Sequence, residues 1–227
     1  TLHSISHMGG FLCVRNKFIE AEPYLSKALE GYRRVLGDDH PDTLTAIRNL
    51  GILRLRQGKL VEAEPYLRKA LEGCRRVLGE DHPFTLDSTG NLGLLLLRQG
   101  KLDEAEPFIR EALRGRRRLL GDEHPDTLIT INNLGTLRRE QGRLDEAEKC
   151  CREVLKGERR LLGDEHPDTL ITIYNLSWLM KDQGKLDEAE RFAREAAQSR
   201  PDDKAHQEDV RTLLDAIATA RKKKGDK

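Results

Sequence analysis

The sequence predicts an all-α solenoid: antiparallel helix pairs stacked one on the next and closed by a C-terminal capping helix. Three observations predict it. The string LG-[DE]-[DE]-HP-x-TL occurs four times, beginning at Leu36, Leu78, Leu120 and Leu162, so each start lies 42 residues after the last. Each period carries Gly and Pro at the same places, where one helix must stop and the next begin. After Pro201 the period fails, and a single amphipathic stripe of Val210, Leu213, Leu214 and Ile217 takes its place. A fixed period of this size means one two-helix unit stacked on copies of itself, since a single unit cannot bury its apolar face alone.

The first copy, 1–36, is clipped at its start. Thr1-Leu2 aligns with Thr43-Leu44, so the HP opening is missing, and the chain is expected to be a piece of a longer protein with an uncapped N-terminal end. Its helices are expected near Leu2–Arg15, weakened by Gly9 and Gly10, and Phe18–Val35. Asn16 stands where later copies have Gly between the helices, and Asn tolerates left-handed geometry next best. The second copy is 37–78. Gly37 ends the preceding helix in a left-handed conformation, Pro41 opens the next where its missing N–H costs nothing, and Asp42 complements the helix dipole. That helix runs to Gln57. Gly58 breaks it before a second helix, Leu60–Val77, in which Pro65 is tolerable only near the start. The third copy, 79–120, supplies Pro83–Gln99 and Leu102–Leu119; the fourth, 121–162, supplies Pro125–Gln141 and Leu144–Leu161. The fifth, 163–200, begins its first helix at Pro167 and must end its second before Pro201. The capping helix occupies 201–223, and 224–227 form a solvated tail.

The residues that recur inside the period are Leu50-Gly51, Gly58, Ala63, Leu67 and Ala70, matched by Leu92-Gly93, Gly100, Ala105, Ile109 and Ala112 in the third copy. The fourth gives Leu134-Gly135, Gly142, Ala147, Cys151 and Val154, and the fifth Leu176, Ser177, Gly184, Ala189, Ala193 and Ala196. This pattern resembles the tetratricopeptide repeat family, and the longer 42-residue period with its HPDTL, NL and EAE strings looks like the kinesin light chain type. The resemblance implies a right-handed superhelix whose inner curve, lined by the first helix of each pair, receives protein or peptide partners. Arg54 and Arg138 stand where an aromatic usually packs, so looser packing is expected there, while Leu96 and Met180 keep the site apolar.

Composition narrows the function. Forty Lys and Arg against thirty-nine Asp and Glu give a net charge of +1, which supplies no field for nucleic acid or an anionic membrane. The 35% charged and 4% aromatic content suits helix pairs with solvated outer faces, where Glu64 with Arg68 and Glu72 with Arg76 have the favourable spacing of four. No apolar run approaches the roughly 18 residues that span a bilayer. Cys13, Cys74, Cys150 and Cys151 follow neither a zinc nor a disulfide pattern, so reduced thiols in a cytoplasmic setting are expected, with Cys150 aligned to the packing positions Tyr66 and Phe108.

No catalytic motif is present, and no cofactor or metal is called for. His40, His82, His124 and His166 recur beside acidic residues, but each lies a whole repeat from the next, too far for the roughly 2 Å bonds of a shared ion, so they are expected to cap or pack helix starts. The first helices offer a better candidate. Residues offset from the Leu44, Ile47, Gly51 packing face should line the inner curve: His3, Ser6, His7 and Gly10; Thr45, Arg48, Asn49, Ile52 and Arg56; Asp87, Gly90, Asn91, Leu94 and Arg98; Ile129, Asn132, Asn133, Thr136 and Arg139; Ile171, Tyr174, Asn175, Trp178 and Lys181. Asn is a poor mid-helix residue, yet Asn49, Asn91, Asn133 and Asn175 hold one site in four copies. Each amide could donate to and accept from an extended peptide backbone, or tie its helix to a neighbour. Trp178 is expected to be an exposed anchor. Arg48, Arg56, Arg98, Arg139 and Lys181 outnumber Asp87, Glu140 and Asp182, which favours a mildly acidic peptide. The expected function is therefore a non-catalytic protein-interaction scaffold. The alternative is a self-association or sensor segment of a larger signalling protein, of the kind that carries a STAND/NB-ARC ATPase domain, pairing through the uncapped N-terminal end.

Overall fold

The computed structural model describes residues 1–199 and 204–225, with side chains for 1–199 and 207–223. Among the described residues it contains eleven α-helices and no strand. The first helices of the pairs are α1 (Leu2–Val14), α3 (Pro41–Arg56), α5 (Pro83–Arg98), α7 (Pro125–Glu140) and α9 (Pro167–Asp182). Their partners are α2 (Phe18–Leu36), α4 (Leu60–Leu78), α6 (Leu102–Leu120), α8 (Leu144–Leu162) and α10 (Leu186–Ser199), and α11 (Lys204–Gly225) follows. The break expected before Pro201 and the last two residues of the expected tail lie outside the described residues. Two compact units result, Thr1–Arg116 and Arg117–Lys227.

Local chemistry sets each boundary. The repeated histidines cap α3, α5, α7 and α9: Nδ1 of His40, His82, His124 and His166 accepts the backbone N–H two residues on, at 3.2 Å in each case. Pro follows at the first helical position, where no N–H is needed. At the other end, Gly37 has the expected positive φ of 83°, but its ψ of 171° is not left-handed helical. It belongs to an extended region open almost solely to glycine, which sends the chain away from the helix rather than curling it back. Asn16 does take the left-handed place of glycine, at φ 57°.

Two close approaches at glycine lock each of the first four pairs. A Cβ on Gly51 of α3 would stand 2.7 Å from Leu67 Cδ2, and one on Gly73 of α4 would stand 2.3 Å from Leu44 Cδ2. Gly9 plays the same part in α1, where a Cβ would meet Leu25 Cδ2 at 2.6 Å, so this glycine is a packing requirement rather than a weak point. The core of the first unit gathers Leu12, Leu25, Leu29, Leu44, Ile47, Leu50 and Leu53. In the second, Leu170, Ile173, Leu176, Met180 and Phe192 pack with Val210, Leu213 and Ile217 of α11, which lies against α10 and α9.

The packing at Arg54 and Arg138 is not loose. Arg54 makes a two-pronged bond to Glu22, at 2.6 and 2.8 Å, and Arg138, only 2% exposed, bonds Glu146 and Gln141. Their aliphatic stems fill the aromatic's volume while the charges are matched, for Arg54 by Glu22 of the preceding pair and for Arg138 by Glu146 of its own. Ion pairs also tie one pair of helices to the next: Arg75 to Glu111, Arg117 to Glu153 and Arg159 to Glu195. Glu64 and Arg68 pair as expected, but Arg76 reaches Asp39 instead of Glu72.

Candidate peptide-binding face

In the first unit the predicted stripe falls into two depressions. One, of about 490 Å³, is lined by His3, Ser6, His7, Gly10, Thr45, Asn49 and Phe84, with Tyr32 beneath, its hydroxyl hydrogen-bonded to His3 Nδ1 at 3.1 Å. The other, of about 460 Å³, brings together Ile52, Arg56, Asn91, Leu94 and Arg98, and adds Asn16, Phe18 and Leu55, which the spacing of the first helices did not point to. Arg48 does not face outward with them. Its side chain is 12% exposed, with Nη1 3.4 Å from Asp87 Oδ2 and the guanidinium 5.1 Å over the Phe84 ring. Burial pushes that guanidinium down, and Asp87 works against the shift. Asp87 also receives Arg116 at 2.7 Å.

In the second unit a depression of about 400 Å³ is lined by Asn132 and Asn175 together with Ile129, Ile171, Leu128, Leu161, Leu162, Thr172, Glu158 and Asp168. Glu158, on α8, is a lining residue that the first-helix stripe could not reveal. The signal was available in the alignment, where the copies place Cys74, Arg116 and Glu158 at one position. Trp178 is half-buried rather than exposed: Tyr174 meets it edge-on at 6.2 Å, Lys181 Nζ lies 4.9 Å over its ring, and it packs against the core. Asn133, Thr136 and Arg139 are not part of that depression.

The charge balance sharpens in the structure. Asp87 pairs with Arg48, Glu140 with Arg139 and Asp182 with Lys181. Among the described residues that leaves Arg56 and Arg98 without a carboxylate partner, and both line the same depression. Asn49, Asn91, Asn133 and Asn175 are all half-buried, and among the described residues none of their side-chain amides makes a hydrogen bond. Among the described residues, then, no hydrogen bond of these amides ties one repeat to the next.

Other reactive groups are quiet. Burial pushes all four cysteine thiols up, Cys151 to about 11, so little thiolate exists near neutrality. Each capping His spends Nδ1 on the helix start, and among the described residues no cluster of three His, Cys, Asp or Glu could hold a metal. No described helix is long and apolar enough to cross a membrane.

The family model of the tetratricopeptide repeat matches residues 1–73, 48–118, 87–156 and 126–202. No curated protein matches the chain. The crystal structure of BtubC (BKLC) from P. vanneervenii superposes with a TM-score of 0.76 at 24% identity, covering 88% of this chain and 79% of that one. A Podosopora anserina putative kinesin light chain with nearly identical TPR-like repeats gives 0.72 at 21% identity, covering 88% and 94%. The Rap conjugation gene regulator of the plasmid pLS20, in complex with the Phr* peptide, gives 0.72 at 16% identity, covering 96% of this chain and 61% of that one. At such identities the likeness is one of fold.

Proposed function

The chain belongs to the tetratricopeptide repeat family, and on that premise we propose that it is a non-catalytic scaffold that holds an extended, mildly acidic peptide segment along its first-helix faces. The four unbonded, half-buried Asn amides carry this reading. None of these amides is sealed from solvent, and an extended backbone offers a donor and an acceptor at each residue that they can engage. First helices packed as neighbours stand roughly 10 Å apart and an extended chain advances about 3.3 Å per residue, so Asn49 and Asn91 address peptide residues about three apart. Arg56 and Arg98, the two cations left without carboxylates, supply the preference for acidic residues, and Ile52 and Leu94 beside them suit an apolar side chain. The structure of the fold-related Rap regulator is of a complex with a peptide, which agrees with this use of the architecture.

The test uses the full chain and fluorescein-labelled nonapeptides with a central leucine, in acidic, neutral and basic versions. The acidic version should bind best and weaken with added salt. Asn91→Ala with Asn133→Ala should weaken it by roughly 30-fold, for about 1 kcal/mol per lost amide. Unchanged binding in that variant, combined with loss on replacing the outer-face Arg68 and Arg110, would place the ligand on the other side and end this reading.

Self-association is the second reading, favoured by exposed Met8, Phe11 and Val14 on α1. Light scattering should then show dimers that Phe11→Glu abolishes.

A further inference from the structure

The geometry points to the depression between α7, α8 and α9 as a pocket for a basic side chain, a guanidinium above all, carried by the bound segment. The inference rests on the peptide-binding reading and gives one subsite of it a chemistry opposite to that of Arg56 and Arg98.

Three observations carry it. First, the residues lining this pocket include two carboxylates, Glu158 and Asp168, and no Lys or Arg. The neighbouring cations are engaged elsewhere, Arg159 with Asp164 and Glu195, and Arg160 with Glu123. Second, Glu158 is half-buried and its Oε2 is sealed from solvent without a hydrogen-bond partner. Burial pushes its carboxyl up, with Asp168 adding to the rise and the Thr172 hydroxyl and His166 opposing it. A cation brought into the pocket beside it lowers the cost of keeping this half-buried carboxylate ionised. Ile129, Ile171, Leu161 and Leu162 around it are 43–57% exposed, an aliphatic lining that a long basic side chain can cover with its methylenes.

Third, the chain contains its own precedent. Two repeats earlier the corresponding niche is formed by α3, α4 and α5, with Arg48 where Asn132 stands, Cys74 where Glu158 stands and Asp87 where Ile171 stands. There the niche is occupied: Arg48 lays its guanidinium over Phe84 and onto Asp87, and its side chain is 12% exposed. In the second unit the short, exposed Asn132 leaves the equivalent volume open, and the carboxylate is supplied from α8 instead of the next first helix. The same backbone that buries an internal guanidinium in one copy thus presents an acidic, aliphatic-walled vacancy in another.

Three labelled heptapeptides, Ser-Ala-Leu-X-Leu-Ala-Ser with X as arginine, lysine or citrulline, test this on the full chain. Arginine and lysine versions should bind about tenfold or more tighter than the citrulline version, since a charge-assisted contact is gained. Glu158→Gln should erase the difference, and Asn132→Arg, which restores the internal plug, should abolish arginine-peptide binding. Methyl NMR on the unaltered protein gives a readout independent of any variant: Ile129 and Ile171 signals should shift with the arginine peptide. Equal binding of the three peptides, a preference surviving Glu158→Gln, or unmoved Ile129 and Ile171 signals would each overturn the pocket. If these peptides bind without charge preference and lose affinity in the Asn91/Asn133 variant, the pocket falls and the peptide reading stands. If neither they nor the nonapeptides bind, both fall.

Discussion

Replacing Glu64 by Gln tests how one helix pair is fastened to the next. Glu64, on α4, accepts bonds from Gln99 Nε2 at 2.9 Å, Arg68 Nη2 at 2.8 Å and Lys101 Nζ at 3.1 Å. Gln99 and Lys101 belong to the following pair. Led by Gln99, then Arg68, with Lys101 adding to them, these bonds outweigh burial and hold the Glu64 carboxyl at about 2 against its ordinary 4.5. By linkage, such a difference between folded and unfolded chain amounts to about 3 kcal/mol at neutral pH. The side chain is 20% exposed, so solvent screening brings the expected figure to about 1–2 kcal/mol. The folded carboxyl is the stronger acid, so the stabilisation is complete above about pH 4.5 and is lost as pH falls towards 2. Urea unfolding should therefore find Glu64→Gln less stable than the parent by about 1–2 kcal/mol at pH 7, with the gap reduced to less than half by about pH 3. Comparing parent with variant cancels the other carboxylates that titrate in the same window. A gap of equal size at pH 7 and pH 3, or none at pH 7, would refute the assignment of this bond network to inter-pair stability.

Gly51→Ala should lower stability by about 1–2 kcal/mol, because the new methyl would meet both Leu67 Cγ and Tyr66 Cβ within 3.1 Å, whereas Gly10→Ala, with nothing within 4 Å, should raise it by roughly 0.5–1 kcal/mol. Denaturant midpoints that moved together in the two variants would contradict the interlocking of α3 and α4. His124→Ala should cost about 1 kcal/mol and His124→Asn much less, since Asn also supplies a capping acceptor; equal thermal losses would mean that the cap is not what His124 provides. Leu213→Asp places a charge at a fully buried site of α11, and amide exchange should accelerate in α9 and α10 while α3 and α4 keep their protection. Acceleration spread evenly along the chain would show that stability is not passed from neighbour to neighbour.

Periodicity made the fold legible because it reports what the backbone must do. Leu50-Gly51, Pro41 and Gly58 recur since a pair needs a close approach, a helix start and a turn, and the structure has them in those roles. Even so, Gly9 read as a weak spot, because its partner Leu25 is invisible until the two helices are packed. Arg54 read as a defect for a related reason: in the linear text an arginine at an aromatic's position looks like lost volume, and only the geometry brings Glu22, 32 residues away, onto it. The same limit governs the candidate site. Helical offset places Ile52 and Arg56 on the same stripe as Asn91, Leu94 and Arg98 one period away, and these residues line one depression. It could not show that Arg48 and Trp178 are covered by the chain's own side chains, nor that a second-helix residue such as Glu158 reaches the same face.

What varies between copies then carries more functional information than what repeats. Positions 48, 90, 132 and 174 are equivalent in the period, and they hold Arg, Gly, Asn and Tyr. Arg48 is folded down onto Asp87; Gly90 presents no side chain beside the Arg116 guanidinium, where a Cβ would make only ordinary contact at 3.6 Å; Asn132 leaves a pocket open; Tyr174 is committed to Trp178. Because the Leu, Gly and His framework fixes the backbone in each case, these substitutions change the chemistry presented without changing where it is presented. A scaffold built this way can present different charges on different copies, here Arg56 with Arg98 in a depression of the first unit and Glu158 with Asp168 in one of the second.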